Sequence, residues 1–278
     1  MIKKIALIAI LIFSFSRTHA QRKDKIKGSK EVTRENTSVE EFTRVLIGEN
    51  FKVSLVEGDD ASVEINADNN LHEVIQIEVV DNTLLLTSTK NIISKKQLDI
   101  RITYTDALKL IETKENGQVS SINTIDLPEL TLKATGSSKL FLTLKSDKFK
   151  FINSDKSKAE LNVTANTSTL ELSDNSKLEA LINSTDIKID LYQRANANIE
   201  GDVDTLNIRA DNSTNLIAKN LTSNTCSVLA EGSSDVYIQV IEEVTIDANG
   251  SSEIFLYENP KITINSFEDT VKLHKKEL

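Results

Sequence analysis

The chain is short of the residues on which most catalytic and metal chemistry depends. It has one Cys, three His, one Met, two Pro and no Trp in 278 residues. A lone Cys226 cannot form an internal disulfide in any compartment, and its place beside Val228 in an alternating apolar run marks it as a small core residue rather than a nucleophile. One of the three His lies within the first twenty residues, so only His72 and His274 remain, far apart in sequence. A serine hydrolase would need a His set by an acid beside its nucleophile, and nothing supplies one. Basic charge is also scarce: 33 Lys and Arg stand against 42 Asp and Glu, a net charge of −9. That balance excludes a nucleic-acid partner, because binding a polyanion rests on cations that displace its counterions. No run of eighteen apolar residues occurs, so no transmembrane helix is expected. The chain is too apolar for disorder and too poor in Ala and Leu for a helical bundle.

What is present begins with a targeting pattern. Lys3 and Lys4 precede an eleven-residue apolar run, Ile5 to Phe15, and Thr18-His19-Ala20 puts small residues at the −3 and −1 positions of a cut before Gln21. This is the layout of a signal peptide over residues 1–20, too short in its apolar part to span a bilayer. Removing it takes away Lys3, Lys4 and Arg17 and leaves a net charge of −12. The expectation is an exported protein of the periplasm, the outer cell surface or the medium.

Next comes a repeat. The last residues of the corner tripeptides are Ser138, Ser157, Ser176, Ala195, Thr214, Ser234 and Ser252, separated by steps of 19, 19, 19, 19, 20 and 18. Apolar residues alternate on both sides of each corner, as in Leu130/Leu132 before Ser138 and Leu140/Leu142 after it. A period of two means strand, and two strands in nineteen residues leave no room for a helix. The expected fold class is all-β: a parallel β-solenoid of about nineteen-residue coils, with rungs about 4.8 Å apart. The anchor column is small throughout because a bulky side chain at a stacked corner would meet its neighbours above and below. Two places before the anchor stand Gly, Asp, Asn or Gln; Gly enters positive φ freely, and Asp and Asn tolerate it next best.

The boundaries follow. Residues 21–36 are polar and read as a flexible arm, residues 37–117 as an irregular β region, and residues 118–278 as coils with a C-terminal cap, continuous with 37–117. Asn116-Gly117 between Leu110 and Val119 marks a first coil, slightly out of phase. In the cap, Phe267-Glu268-Asp269 replaces the small corner, and Lys272, Lys275, Lys276 and Glu277 charge the last edge.

Several segments resemble a bacterial family. Phe42–Ile47, the run from Phe51 to Gly58, Ser62-Val63-Glu64-Ile65, Asn70-Leu71, Asp81-Asn82-Thr83-Leu84 and the later Leu-x-Ala-x-Gly-Ser-Ser coils are similar to the "putative auto-transporter adhesin, head GIN domain" family over residues 31–260. The resemblance implies an exported β-helical domain of the cell envelope, right-handed in its coil. Asp155-Lys156-Ser157 and Asp174-Asn175-Ser176 depart from its Gly-Ser-Ser corners, and no C-terminal membrane barrel follows.

For chemistry, the recurring Gly-Ser-Ser is a structural corner and not a phosphate cradle, since no Lys-Ser/Thr or helix follows it. Outward carboxylates stack as Glu160/Glu179 and Asp235/Glu253, a pattern shared by Ca²⁺ sites, glycoside-cleaving pairs and plain solvated acidic faces. The last reading fits a chain with 42 acids. No metal, cofactor or catalytic residue is assigned. The outward column one past the anchor runs Lys139, Lys158, Lys177, Asn196, Asn215, Asp235, Glu253, from basic to acidic, which could steer self-association. The candidate binding residues are Tyr237, Phe255, Tyr257 and Ile217, which the nineteen-residue step gathers into one outward apolar patch. The leading function is a non-enzymatic, adhesin-like envelope protein binding a surface partner or glycan. A β-helix polysaccharide lyase or hydrolase, or a purely structural envelope protein, are the alternatives.

Overall fold

The computed structural model describes residues 23–277. The signal peptide and its cut before Gln21 lie outside these residues. The protein is a parallel β-solenoid of about nine turns, 68% strand and 2% helix.

The regular coils occupy the C-terminal half, and their construction explains the rest. Before them the chain forms Lys25–Lys27 (β1), Val32–Ser38 (β2), Arg44–Ile47 (β3), Lys52–Glu57 (β4), Ser62–Asp68 (β5), a 3₁₀ turn at Asn69–Val74, Ile75–Val80 (β6), Thr83–Ser88 (β7), Asn91–Ser94 (β8) and Leu98–Tyr104 (β9). Leu110–Thr113 (β10), Gln118–Ser121 (β11), Ile125–Asp126 (β12) and Glu129–Ala134 (β13) lead into the coils. Those are Lys139–Asn153 (β14), Lys158–Leu172 (β15), Lys177–Leu191 (β16), Asn196–Ala210 (β17), Asn215–Ala230 (β18) and Asp235–Ala248 (β19). Glu253–Tyr257 (β20), Lys261–Phe267 (β21) and Lys272–Lys276 (β22) close the chain.

Each coil is one continuous strand with a bend inside it, where the alternation had indicated two strands. In β14 the side chains of Leu140, Leu142, Leu144 and Ser146 point inward; then Asp147 and Lys148 both face solvent and Phe149, Phe151 and Asn153 point inward again. The ladder passes over this bend, pairing Ser146 with Ala165 and then Lys148 with Thr167. Hydrophobic burial on both arms holds the coil: Leu140, Phe151, Leu170, Ile187 and Leu206 are fully buried, each contributing roughly 1.5–3 kcal/mol.

The tight corner lies between strands. The residue two places before the anchor has positive φ at Gly136, Asp155, Asp174, Gln193, Asn212, Gly232 and Gly250, as does Asp269 in the last corner. The aspartates that depart from Gly-Ser-Ser do a second task. Asp155 Oδ2 accepts the Gly136 N–H at 2.8 Å, and Asp174 Oδ2 accepts the Asp155 N–H at 3.3 Å, so each carboxylate ties down the corner of the preceding coil. The anchors are buried, as their size required. Their hydroxyls bond along the column at Thr214–Ser234 (3.0 Å), but Ser234 and Ser252 also donate to the carbonyl three residues back.

The N-terminal region differs from expectation in two ways. Residues 25–38 are not an arm: β2 pairs antiparallel with β5 over seven residues, and β1 pairs with β8. A strand at a sheet edge with solvent on both faces has no apolar side, so its sequence shows no alternation. The solenoid also begins well before residue 110. Strands β3 and β4 stack on β10 and β11, while β7 and β9, later in the chain, stack above β3 and β4. The outermost N-terminal rung is therefore β7/β9, flanked by antiparallel β6 and β5. The apparent phase slip near Asn116 arises from two extra residues between β11 and β12, since Ser120 pairs with Phe141 twenty-one residues on and Ile125 with Leu144 nineteen on.

The C-terminal end is a further coil of the ladder. Strands β21 and β22 form a rung in continuous pairing with β19 and β20. Among the described residues nothing folds over it, and Ile262, Ile264 and Phe267 are 43%, 48% and 40% exposed. Their inward pattern is that of the coils before them.

Candidate functional site

Strand pairing places one outward column along the wall formed by the first arm of each coil. It runs Phe141, Glu160, Glu179, Asn198, Ile217, Tyr237, Phe255, His274. The four sequence-derived residues meet here. Ile217, Tyr237 and Phe255 follow one another on successive rungs, and Tyr257 lies two residues from Phe255 on the same face, between Gln239 and Lys276. All four are half-buried, and β22 extends the column without covering it.

The aromatic rings form a stack. Tyr237 and Phe255 have centroids 4.2 Å apart and planes 4° from parallel; Phe255 and His274 follow at 4.6 Å and 9°. The spacing is close to the rung spacing, so the geometry comes from the ladder itself. His274 was missed in the sequence although it stands nineteen residues after Phe255, and Lys276 likewise after Tyr257. Extending the columns one more coil would have found both. Lys276 Nζ lies 5.4 Å from the Phe255 ring centroid, within cation–π range. Because the faces of Tyr237 and Phe255 are turned to neighbouring rungs, the stack offers ring edges and a phenol outward. A free ring face remains only at His274.

Carboxylates border the stack. Asp235 and Glu253 are register partners two residues before the rings. Glu253 bonds Lys272 Nζ at 2.6 Å and His274 Nε2 at 3.2 Å. The Lys272 hydrogen bond holds the Glu253 carboxyl below its ordinary range. Asp235 is pushed the other way, by burial first and by Glu253 second. Burial and the nearby Asp235 charge raise the Tyr237 phenol.

A pH-dependent result follows. A carboxyl raised in the folded state binds its proton more tightly there than in the unfolded chain, so its contribution to stability falls as pH rises through the carboxylate range. Asp235→Asn is expected to remove that loss and to melt roughly 1–2 °C above the parent at neutral pH, with the difference closing in acid. Glu253→Gln should behave oppositely, since its stabilisation is present above the unfolded carboxylate range and lost on acidification. Thermal melts of both across pH check the signs; an Asp235→Asn variant less stable than the parent at neutral pH contradicts the assignment.

Mid-column, a shallow groove of about 530 Å³ is lined by Phe141, Glu160, Glu179, Leu181, Asn198 and Glu200 among others. Glu160 and Glu179 are register partners, both exposed. Among the described residues, no group of three or more His, Cys, Asp or Glu is arranged to hold a metal ion. Cys226 is buried, and burial pushes its thiol well above the ordinary range, which leaves it unreactive.

Comparison with known proteins places these features in a family. Three crystal structures share the fold. One is of a "putative lipid binding protein" from Parabacteroides distasonis, 16% identical, with a TM-score of 0.58 and coverage of 91% of this chain and 100% of that one. Another, of a "putative adhesin" from the same species, is 18% identical at 0.55, covering 91% and 100%. A third, of a "putative adhesin" from Parabacteroides merdae, is 16% identical at 0.53, covering 91% and 99%. No curated protein matches. The family model described as "Putative auto-transporter adhesin, head GIN domain" matches residues 41–182 and 162–260. Its span covers the parallel stack from β3 to β20, and the chain belongs to this family.

Proposed function

We propose that this is a non-catalytic, adhesin-like protein of the bacterial envelope that binds a surface partner through the Tyr237–Phe255–His274 stack, with Ile217 and Tyr257 at its margins. The stack carries the reading: it gathers apolar area on a wall whose other columns are mostly charged or amide residues. Stacking restrains the rings before contact, so little side-chain entropy remains to be lost on binding. The family description and the adhesin names of two structural neighbours support the same class. Edge-on rings with a phenol suit a flat protein surface better than a sugar, whose apolar face packs against an aromatic face; the open face of His274 is where a glycan would stack. The polysaccharide-cleaving alternative would use Glu160 and Glu179, which stand on an open wall without the water exclusion that favours proton transfer to a glycosidic oxygen.

The test is a Tyr237→Ala/Phe255→Ala/Tyr257→Ala variant, compared with the parent on glycan arrays and on mucin- and collagen-coated surfaces. Each stacked pair contributes roughly 0.5–1.5 kcal/mol beyond area burial, so the variant should fold with a slightly lowered melting temperature. Retention on whichever surface holds the parent should drop at least about tenfold, as for loss of a central aromatic cluster. Equal retention by parent and folded variant would rule out the stack as the contact. Unchanged adhesion on protein but lost adhesion on glycans would move the partner class to sugars.

A further inference from the structure

The opposite end of the solenoid has a charge pattern of its own. Residues 23–30 and 90–97 contain Lys23, Lys25, Lys27, Lys30, Lys90, Lys95 and Lys96 against a single acid, Asp24, a net charge of +6 in a chain whose total is −9. The remainder of the chain is therefore −15. The two segments are sixty residues apart in sequence, and the β1–β8 pairing brings them side by side. They are stapled by Asp68, fully buried, whose carboxylate accepts the backbone N–H groups of Lys30, Lys96 and Gln97 at 3.0–3.2 Å. Burial opposes ionisation of Asp68, but those three donors outweigh it and hold the carboxyl below its ordinary range. Gly28 is part of the staple, since a Cβ there would lie 1.9 Å from Asp68 Oδ2.

All seven lysines are exposed, and among the described residues only Lys23 has a carboxylate within ion-pair distance, Glu49 at 2.6 Å. Lys95 is lowered by burial first and then by the neighbouring Lys52, with Asp99 acting the other way. Holding them together costs the isolated fold stability and gives nothing back without an anionic partner. Among them projects Ile93 in β8, 46% exposed. Lys139, Lys158 and Lys177 carry the basic character partway along the adjoining wall.

We propose that this N-terminal end is a docking surface for an anionic lipid bilayer. The lysines meet headgroups, and Ile93 enters the interface between them. A soluble polyanion would have no use for an exposed Ile among the cations, and the −15 carried by the remaining chain would repel a polymer long enough to run along the solenoid. The one long apolar run of the sequence, Ile5 to Phe15, expected to be a targeting segment, precedes this same end, which agrees with a membrane-facing position for it. Seated this way, the solenoid directs its aromatic stack, at the other end, away from the bilayer. This goes beyond the adhesin reading and can fail without it.

The test is co-sedimentation with vesicles of phosphatidylglycerol and phosphatidylethanolamine in equal parts, and with phosphatidylcholine vesicles. All variants carry the same N-terminus, so any effect of residues 1–22 is common to them. The parent should partition onto anionic vesicles and lose most of that binding in high salt. Each lysine near an anionic leaflet contributes about fivefold, so Lys25→Ser/Lys27→Ser/Lys95→Ser/Lys96→Ser should lower partition by roughly several hundredfold. Ile93→Ser should lower it several-fold, while the stack variant should bind vesicles like the parent. If the quadruple variant does not fold, its two halves, Lys25→Ser/Lys27→Ser and Lys95→Ser/Lys96→Ser, are read separately. The proposal is overturned by partition that is salt-insensitive or equal on phosphatidylcholine. Loss of the same size in Lys139→Ser/Lys158→Ser/Lys177→Ser also overturns it. Heparin binding as tight as vesicle binding, with Ile93→Ser neutral, would replace the bilayer with a soluble polyanion.

Discussion

Ser176→Phe is expected to melt well below the parent while Ser176→Ala melts at or slightly above it. Ser176 is fully buried, between Ser157 and Ala195 in a column that is small at all seven corners. A phenyl ring there has no outward rotamer, because the corner closes over it, and the rungs on either side fix the space above and below. Overpacking of this kind costs roughly 1–3 kcal/mol. For a chain of this size that is a loss of roughly 2–12 °C in melting temperature. The alanine variant tests whether size or the hydroxyl is required. Ser176 Oγ is buried without a hydrogen-bond partner, so its removal relieves a desolvation cost. Ser157 is the contrasting case. Its Oγ lies 2.5 Å from Ser154 O, 3.2 Å from Ala134 O and in hydrogen-bond contact with Asn153 Oδ1. Asn153 is itself fully buried, so Ser157→Ala should cost about 1–2 kcal/mol by leaving acceptors unpaired. Melts by circular dichroism decide the matter. A Ser176→Phe protein as stable as the parent would mean that the anchor column does not sit where the ladder places it.

That column was legible in the sequence because stacking imposes one constraint repeatedly: the same small residue type, every nineteenth position. The aromatic stack was legible for the same reason. Tyr237 and Phe255 share a place in consecutive coils, and the anchors supply the register. What was not legible lies where repetition fails. The rung of β7 and β9 stacks outside that of β3 and β4 although it comes later in the chain. No period reports such an exchange of order, since it is settled by which long-range pairing buries Leu84, Leu86, Ile100 and Ile102 best. Strand β2, VTRENTS, has solvent on both sides and so carries no apolar face from which a strand could be read. The lysine-rich end joins segments sixty residues apart in sequence through β1–β8 pairing, and each alone looks like an ordinary solvated charge run. The last rung, expected as a cap with a changed corner and a charged edge, leaves its inward apolar residues half open to solvent. Lys272 and Lys276 sit on the outward side and Lys275 takes the inward place of Leu256, while Ile262 and Ile264 keep the inward positions they would hold under another coil.

The same failure of repetition makes Gly201 the most sensitive glycine in the coils. Gly201→Ala is expected to destabilise the protein more than Gly232→Asn, by a margin that melts can resolve easily. The tight-corner glycines have φ of 71° to 74°, in a column where Asp155, Asp174 and Asn212 adopt 61°, 59° and 72°. That is left-handed backbone which Asn and Asp tolerate. Gly201 has φ of 123°, outside the region any L side chain favours. It lies within β17, opposite Ile182 on one side and Leu221 on the other, just past the register shift between Asn198 and Glu200. That shift absorbs the added residue of the twenty-residue step into the next coil. A Cβ at Gly201 would stand 2.2 Å from the carbonyl oxygen of Ile182 and 2.8 Å from its carbon. Those atoms are backbone of the preceding rung, so relief requires breaking ladder hydrogen bonds rather than turning a side chain. Backbone strain of roughly 1–3 kcal/mol and overpacking of roughly 1–3 kcal/mol act together. Gly232→Asn needs some shift around its new Cβ, 2.7 Å from Asn212 O, but the neighbouring coils already accommodate Asp and Asn there. Hydrogen exchange would show where the cost is felt: Gly201→Ala should lose protection in β16 to β18 and keep it in β4, β9 and β14. Equal melting of the two variants, or loss of protection spread evenly along the solenoid, would mean that the irregular step is absorbed somewhere other than at Gly201.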